Sequence, residues 1–340
     1  MKVSIGYKLE SGPWGGGNRF VLELSKALEL KGHSVVYDLN DSDLDVILII
    51  DPRNRSHPNI TFGVGKILSY LLFINSEVAV VHRINECDER KNTRHMNFLL
   101  RVTNYIADHT VFIASWLIKL NVWRRGSDYS VILNGASTDI FYPDKEKNID
   151  KHILRFVTHH WGANRMKGFD IYNYFDKLLD DHRLSKIIKF TYIGNLPKGV
   201  EFDNICHLPA MNGKELADCI RKHDIYLTAS INEPAGMHHI EGACCGLPIL
   251  YRNSGSLPEY CAGFGVEFNG VKDFEEKLYF MISNYQSFHK KMSEYENKSS
   301  KRIPEWVALF ESLTDKKNKI SSDRSLWKNP LILLLAFIMR

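Results

Sequence analysis

The chain has 340 residues, a length that favours two domains over one. Its residues are 44% hydrophobic and 25% charged, a composition typical of a soluble globular protein without low-complexity segments. The formal net charge of +4 is spread along the chain, so the basic excess is too weak to indicate a nucleic-acid-binding protein.

The cysteines and the N-terminus indicate a cytoplasmic protein. The six cysteines include no Cys-x-x-Cys pair, and Cys244 and Cys245 are adjacent, which suits neither a zinc site nor a disulfide framework. We therefore expect reduced thiols. Residues 1–7 read directly as a strand, without the cationic and apolar regions of a secretory signal, so nothing in them predicts export.

The first half of the chain alternates strand-like and helical segments. Residues 2–7 have a strand pattern, and after a glycine-rich turn at 12–17 the apolar residues recur at helical spacing over 18–28. Segment 143–151 is charged and lacks periodicity, so we place the domain boundary there. Short apolar runs typical of buried parallel strands lie between these landmarks, at residues 34–37, 46–50, 77–81, 110–114 and 131–133.

The second half repeats this pattern and predicts a second sheet. Its strand-like runs lie at residues 154–158, 190–194, 225–229 and 247–251. The repeated alternation predicts an α/β protein with two Rossmann-like domains facing a central cleft. We expect an N-terminal domain at 1–145 and a C-terminal domain at 151–312. In such folds, ligands bind beyond the carboxyl ends of the strands.

The C-terminal segment 313–340 leaves two interpretations open. Residues 331–339 are all apolar, but a helix needs about 20 residues to span a bilayer. The segment either packs back across the domains, or lies on the inner face of a membrane with Trp327 and Lys328 among the lipid headgroups.

Two glutamates eight positions apart flank the start of a predicted helix. Glu233 precedes the helix and Glu241 projects from it, while Ala235, Gly236 and Met237 lie at its beginning. Carboxylates accept paired hydrogen bonds from sugar hydroxyls, and the N–H groups and dipole of a helix N-terminus attract a diphosphate. The alternative is a capped surface helix with two solvated glutamates.

The passage 233–259 resembles the E-x7-E region of family-4 glycosyltransferases, which are retaining enzymes with the GT-B fold. The resemblance implies that Glu233 contacts the donor sugar and Glu241 contacts the nucleotide ribose. It implies a hexosyltransferase that moves a sugar, with retention of configuration, from a UDP- or GDP-linked donor to a sugar or lipid-linked acceptor. The resemblance also makes 1–145 the acceptor-side domain and 151–312 the nucleotide-sugar-binding domain. If segment 313–340 lies on a membrane, a lipid-linked acceptor is favoured. No side chain is clearly placed as a nucleophile, which agrees with a leaving phosphate that takes the acceptor's proton.

A second match to this family covers residues 156–170, where Lys167 precedes a helix. We expect Lys167 to bind the donor phosphates and to stabilise the charge on the leaving diphosphate; the alternative is a solvated lysine. The family usually has an arginine upstream, whereas this chain has His159 and His160 at the comparable strand end. Arg165 or a histidine is therefore expected to supply the second phosphate ligand.

The glycine-rich turn resembles the N-terminal loop of the same family that approaches the donor. Gly15, Gly16 and Gly17 let the backbone come close to a ligand because they have no Cβ atom. The turn fits neither the dinucleotide-binding pattern G-x-G-x-x-G nor a P-loop.

Polar residues behind the strand predicted at 77–81 resemble the acceptor-side segment of the family. His82 is the candidate contact for the reacting sugar, and Arg83, Asn85 and Asp88 are expected on the same side. An equally weighted alternative makes His82 a structural histidine at the end of the sheet. Segment 131–143 resembles the interdomain segment of the family, and we interpret it as a hinge.

We predict no metal and no other cofactor, because the nucleotide-sugar is a co-substrate. Asp41, Asp43 and Asp45 form two D-x-D patterns, but they precede a strand and so lie at the wrong end of the sheet for a ligand. Two alternative functions remain: a catalytically inactive protein of this fold that binds nucleotide-sugars as a scaffold, and a nucleotide-sugar epimerase.

Overall fold

A computed structural model describes residues 1–10, 16–53, 58–144 and 153–338 of the chain. The chain divides into two compact units. The first unit comprises Met1–Leu133 together with Arg302–Arg340, and the second comprises Asn134–Lys301. Each unit is built on its own six-stranded parallel sheet.

The sheet of the first unit contains the strands β1 (Lys2–Ile5), β2 (Ser34–Val36), β3 (Val46–Ile49), β4 (Ala79–Ile84), β5 (His109–Phe112) and β6 (Asp128–Val131). Their order across the sheet is β2-β1-β3-β4-β5-β6. The helices between them are α1 (Gly16–Leu30), α2 (Val64–Phe73), α3 (Met96–Asn104) and a 3-10 helix, Ser115–Lys119.

The sheet of the second unit contains β7 (Leu154–His160), β8 (Ile188–Gly194), β9 (Cys206–Leu208), β10 (Ile225–Thr228), β11 (Ile249–Arg252) and β12 (Gly265–Phe268). Their order is β12-β11-β10-β7-β8-β9. Its helices are α4 (Phe169–Leu178), α5 (Leu184–Ile187), α6 (Gly213–Arg221), α7 (Met237–Cys244), α8 (Leu257–Cys261), α9 (Val271–Ser283) and α10 (Tyr285–Lys291), with 3-10 helices at Arg165–Lys167 and Met292–Glu294.

The chain ends with α11 (Ser299–Asp315), α12 (Lys317–Asp323), a 3-10 helix (Leu326–Lys328) and α13 (Pro330–Ile338). Among the described residues, no helix is both long and apolar enough to cross a membrane.

Apolar side chains cover both faces of the first sheet. On one face, α1 packs Val21 and Leu24 against Val3 and Ile5 of β1. On the other face, α2 belongs to a second apolar cluster that includes Ile47 of β3. Burial on both faces explains why β3 and the first half of β4 are continuous apolar runs and do not alternate apolar with polar residues.

Helix α11 differs from the sequence prediction, which assigned residues up to 312 to the second domain. Its buried side chains include Ile303, Trp306 and Phe310, and these belong to the core of the first unit, with α1 and β1. The helix is amphipathic, and its apolar side completes the cover of the first sheet. The structure places the boundary between the two units at Leu133 and Asn134, ahead of the predicted boundary at 143–151, of which residues 145–151 lie outside the described part of the chain.

Strand ends also differ from the sequence prediction. The fourth strand continues to Ile84 instead of ending at residue 81, and β6 ends at Val131, where a strand was expected to begin. The sequence analysis missed β9 and β12, because Cys206–Leu208 and Gly265–Phe268 are short and of mixed polarity. The tail, for which two interpretations were open, packs in the first unit through α13.

We expect Trp306→Ala to lower the free energy of unfolding by about 3–5 kcal/mol, because the truncation leaves a large cavity in the core of the first unit. Trp306 is 2% exposed and contacts the ring of Phe20 at a centroid distance of 5.0 Å. Urea unfolding would measure the change. Ala308→Ser, at an exposed position of the same helix, should change stability by less than about 0.5 kcal/mol. Equal stabilities of the two variants would contradict the role given to α11.

Candidate active site

The candidate site lies where the strand order of the second sheet reverses. Strands β7 and β10 are neighbours in this sheet, but the chain continues from β7 to β8 on one side and from β10 to β11 on the other. In doubly wound sheets, a crevice forms beyond the carboxyl ends of two such strands. Lys167 follows β7 and Glu233 follows β10, so both lie in segments that border this position.

An ion pair joins the two segments. The Nζ atom of Lys167 lies 2.6 Å from Oε2 of Glu233, and only 13% and 3% of the two side chains are exposed. Removing two charges from water is costly, and the pair compensates for this only with good geometry. The structure therefore brings together the two residues expected to contact the donor phosphates and the donor sugar.

Backbone hydrogen bonds fix the two segments to each other and to a third loop. The N–H of Ile231 donates to the carbonyl of Met166 at 2.8 Å, and the N–H of Ser256 donates to the carbonyl of Glu233 at 2.9 Å. Gly255 has φ +59°, and a Cβ atom there would lie 2.5 Å from the carbonyl oxygen of Glu233. A side chain at residue 255 would therefore displace the loop that carries the glutamate.

A close approach also requires glycine directly after Lys167, between its 3-10 helix and α4. Gly168 has φ +99°, and a Cβ atom there would lie 2.3 Å from the carbonyl oxygen of Ala229. Both the left-handed backbone and the contact with the segment after β10 exclude larger residues. The glycine thus lets the lysine turn pack directly against the segment that leads to Glu233.

Glu241 is held by a histidine. Its Oε2 atom lies 2.8 Å from Nε2 of His159, and Nδ1 of the same ring lies 2.9 Å from the hydroxyl of Tyr226. The backbone N–H of His159 also donates to that hydroxyl, at 3.1 Å. This pattern is satisfied when Tyr226 donates to Nδ1 and Nε2 donates to the carboxylate, which fixes the ring tautomer.

The start of α7 contains the other residues predicted to contact the donor. Ala235 is buried, and its carbonyl accepts from the side chain of Asn134 at 2.9 Å. Gly236 precedes the helix, and a Cβ atom there would lie 2.5 Å from Nδ1 of His238 and 3.0 Å from Cδ of Glu233. Met237, half-buried, is the first residue of the helix. Crowding is the reason for glycine at position 236, because its backbone is in the extended region that any residue can adopt.

Three buried histidines lie beside these carboxylates. Burial lowers the pKa of His160, His238 and His239, to about 3 for His239. The Nε2 atom of His160 lies 2.8 Å from the hydroxyl of Tyr172, and Nε2 of His238 lies 2.8 Å from Oγ1 of Thr228. These rings are therefore neutral near pH 7, and they add polar atoms to the site without adding positive charge.

The second phosphate ligand stays a prediction. Arg165 is exposed, and its guanidinium donates to the carbonyl of Lys198 at 3.3 Å. The buried Arg252 pairs with Asp170 in the first turn of α4. Burial lowers the pKa of His160, so this ring can offer a phosphate a hydrogen bond but no positive charge. Of the residues predicted to bind the donor, Lys167 and Arg165 carry a formal positive charge.

His82 lies deeper than the sequence analysis expected. It is fully buried inside β4, opposite Ile49 of β3, and its Nδ1 lies 3.3 Å from the side chain of Asn104. Burial lowers its pKa to about 3. The expected contact with the reacting sugar would need an accessible ring, so the arrangement favours the alternative of a structural histidine. The strand continues three residues beyond its predicted end, which explains the difference.

The other acceptor-side residues have structural partners as well. The guanidinium carbon of Arg83 lies 4.2 Å from the ring centroid of Phe20, and the side chain is 3% exposed. The amide of Asn85, oriented to satisfy both its atoms, accepts from Arg83 at 2.7 Å. Asp88 accepts from the backbone N–H groups of Met96 and Asn97, at 2.9 Å each, and so caps the start of α3.

The remaining predicted residues lie in the first unit. Gly15 lies outside the described residues, while Gly16 begins α1. A Cβ atom at Gly17 would meet the ring of Tyr7 only at 3.9 Å, which is ordinary contact.

The D-x-D aspartates are bound by lysines. Asp41 and Asp43 pair with Lys2 at 3.1 and 2.7 Å, and Asp45 pairs with Lys317 at 3.1 Å. Over the described ranges, no group of three or more His, Cys, Asp or Glu side chains is arranged to hold a metal ion.

Sequence reasoning missed the histidines of α7 and the hydroxyl of Tyr226. His238 and His239 are adjacent in the E-x7-E passage, at positions where one would expect apolar helix residues, and this was the available signal. The partner of His159 could not be found from sequence, because Tyr226 lies 67 positions away on a neighbouring strand.

We expect His239→Phe to reduce the pH dependence of stability. Both ring nitrogens of His239 lack a hydrogen-bond partner, and the side chain is fully buried. Burial lowers the pKa of His239 from 6.5 to about 3. The contribution of the neutral buried ring to folding stability is therefore fully present above pH 6.5 and is lost as the pH falls toward 3. Urea unfolding at pH 7 and pH 5 measures how much the free energy of unfolding falls between the two pH values. This fall should be about 1–2 kcal/mol smaller in the variant than in the wild type. The exposed His182, changed to Asn, is the control; equal pH dependence in His239→Phe and wild type would contradict the expectation.

Residues 199–299, which include both glutamates of the site, match the family described as glycosyl transferases group 1. A curated relative, the phosphatidylinositol N-acetylglucosaminyltransferase gpi3 subunit of Schizosaccharomyces pombe, is 23% identical over 246 residues. That alignment covers 68% of this chain and 53% of the relative, so the chain spans about half the length of the relative it matches.

Solved glycosyltransferase structures share the fold over nearly the whole chain. Sucrose-phosphate synthase of Thermosynechococcus elongatus superposes with a TM-score of 0.65 at 11% identity, covering 92% of this chain and 99% of that one. Anabaena HepE in complex with UDP-glucose gives 0.63 at 12% identity, covering 94% and 100%. The catalytic domain of starch synthase IV from Arabidopsis thaliana, bound to ADP and acarbose, gives 0.65 at 12% identity, covering 92% and 99%. The chain therefore has the GT-B glycosyltransferase fold and carries a glycosyl transferases group 1 region at residues 199–299.

Proposed function

We propose that this protein is a retaining glycosyltransferase that moves a hexose from a nucleoside-diphosphate sugar to an acceptor hydroxyl without a metal ion. The observation that carries the proposal is the ion pair of Lys167 and Glu233 at the reversal of the strand order, beside the start of α7. The match of residues 199–299 to glycosyl transferases group 1 supports it.

Each residue of the site has a role in this proposal. The N–H groups and the dipole at the start of α7 bind the diphosphate, and Lys167 lies close enough to the same helix to contribute its positive charge. Glu233 accepts hydrogen bonds from the donor sugar, and Glu241 accepts from the ribose hydroxyls while His159 holds its carboxylate in place.

The Lys167–Glu233 ion pair is consistent with these roles. In the free protein the two side chains neutralise each other, so the site holds a buried cation in a fixed position before the donor arrives. When the bond between the anomeric carbon and the diphosphate breaks, negative charge builds up on the phosphate oxygens. A fixed ammonium stabilises this charge more in the transition state than in the ground state.

Proton transfer in the proposal needs no enzymatic base. The acceptor hydroxyl forms a bond to the anomeric carbon on the face that the diphosphate leaves, and a phosphate oxygen of the leaving group takes the hydroxyl proton. The histidines next to the site are consistent with this assignment, because burial lowers the pKa of His160 and of His239, so that each ring is a weak proton acceptor.

The donor and the acceptor are also proposals. HepE was solved with UDP-glucose, and the name of the fission-yeast relative describes transfer of N-acetylglucosamine to phosphatidylinositol. We therefore propose a UDP-linked or GDP-linked sugar as donor and a sugar or lipid-linked acceptor. UDP-sugars and an inositol phospholipid are the first compounds to test.

We expect one nucleoside diphosphate among UDP, GDP and ADP, with CMP as a monophosphate control, to raise the melting temperature of the protein. At 100 times its dissociation constant, a ligand adds about 2.7 kcal/mol of stability. EDTA should leave the shift unchanged, and Glu241→Ala should weaken it. A shift that disappears with EDTA would contradict metal independence, and the absence of any shift would favour a scaffold that does not bind donor.

Lys167→Ala should reduce the rate of sugar transfer by about 10²–10³, because it removes the charge that stabilises the leaving diphosphate. The matched control is Lys186→Ala, an exposed lysine of α5 in the same unit, which should keep the wild-type rate. NMR of the product anomeric proton would report retention or inversion. Nucleotide binding without transfer to any acceptor, in wild type, would favour the scaffold, and a changed sugar without an acceptor would favour an epimerase.

A further inference from the structure

The C-terminal helix is fixed to the first unit by polar contacts at its start. The hydroxyl of Tyr105 donates to the carbonyl of Leu326 at 3.0 Å and accepts from the N–H of Asn329 at 2.7 Å. Arg324, which precedes these residues, binds both carboxylate oxygens of Asp108, at 2.9 and 2.6 Å. These contacts therefore hold the start of α13 against the rest of the first unit.

Helix α13 is apolar on all sides. Leu333 and Ala336 are buried in the cluster that includes α2. Leu331, Leu334, Leu335 and Ile338 occur at helical spacing on the opposite side, and they are 73, 57, 41 and 68% exposed. Helices of soluble proteins carry polar residues on their outward side, so an outward face of four large aliphatic residues requires a cover.

The helix beneath it adds further exposed apolar residues. Helix α13 packs on α2, and at the end of α2 the side chains of Leu72, Phe73 and Ile74 are 37, 78 and 54% exposed. We call the exposed apolar residues of these two packed helices the α2–α13 surface: Leu72, Phe73, Ile74, Leu331, Leu334, Leu335 and Ile338.

Basic residues are frequent in the sequence around α3, and one of them, Lys91, pairs with Glu86 at 3.5 Å. Helix α13 also contacts α3, which lies in a stretch, residues 91–125, with six basic residues and a single acidic one. The acidic residue is Asp108, already bound by Arg324. Before α13, Trp327 is 73% exposed and Lys328 is exposed beside it. The six basic residues are Lys91, Arg94, Arg101, Lys119, Arg124 and Arg125.

We propose that the α2–α13 surface docks the protein on an anionic lipid bilayer, with α13 lying in the plane of the interface. The basic stretch and Lys328 would contact the headgroups, and the aliphatic side chains would enter the acyl boundary. At about 1.5 Å per residue the nine residues of α13 extend about 14 Å, about half the thickness of the hydrocarbon core, which suits a helix in the plane of the interface.

The charges select a lipid surface over a second copy of the chain. A self-complementary interface would bring the basic stretches of two copies near each other, and like charges at an interface oppose association. An exposed tryptophan next to a lysine at the start of an apolar helix is typical of the membrane–water interface. The residues of this surface belong to the first unit and those of the proposed donor site to the second, so the test does not depend on the proposed function.

The test uses the full chain and vesicles of stated composition. Wild-type protein is sedimented with vesicles of phosphatidylcholine alone and with vesicles that contain about 30% phosphatidylserine by mole and so have a negative surface. We expect co-sedimentation with the anionic vesicles, reduced by salt, and a blue shift of tryptophan emission that is smaller in Trp327→Phe. The absence of binding to anionic vesicles would overturn the proposal.

A triple variant, Leu331→Ser with Leu334→Ser and Ile338→Ser, should lower the partition coefficient for these vesicles about tenfold or more. The control is Leu22→Ser with Leu30→Ser, two leucines of α1 that are 54 and 79% exposed in the same unit. Wild-type partitioning in the triple variant would overturn the proposal. So would a wild-type dimer without vesicles that the triple variant abolishes, because the surface would then bind a second copy. An unchanged melting temperature shows that each variant is folded.

Discussion

The reversal of strand order between β7 and β10 is the constraint on which the candidate site depends. Neighbouring strands that lead to opposite sides of a sheet leave a crevice beyond their carboxyl ends. The segments after these two strands carry Lys167 and Glu233, and Gly168 allows them to approach each other. The ion pair is thus a product of sheet topology, since the two residues are 66 positions apart in the chain.

Local patterns were sufficient for much of the second unit. The apolar runs near residues 154, 190, 225 and 249 each became a strand, because buried parallel strands are nearly continuous in hydrophobicity. The E-x7-E passage also specified where a helix begins, since Gly236 and Met237 follow a short loop after a strand. Local patterns do not specify which strands are neighbours, so the Lys167–Glu233 contact required the structure.

Long-range burial explains what the sequence analysis could not find. A histidine and an arginine after an apolar run resemble a loop, yet His82 and Arg83 continue the strand, because Asn104 and Phe20 from other elements cover them. Helix α11 is a similar case: its apolar side shows that it packs somewhere, but the periodicity is the same for either unit. The identity of the partner sheet is not encoded in the spacing of Trp306 and Phe310.

The return of α11 to the first unit also affects how the protein is made. The second unit is one continuous segment, Asn134–Lys301, whereas the first unit is assembled from two segments of the chain. A ribosome that has completed residues 1–133 has produced a sheet whose face still lacks Trp306, Val307 and Phe310. During translation, the second unit can therefore complete its core first, and the first unit stays incomplete until α11 has been synthesised. An apolar sheet face left uncovered for that time is a binding surface for chaperones.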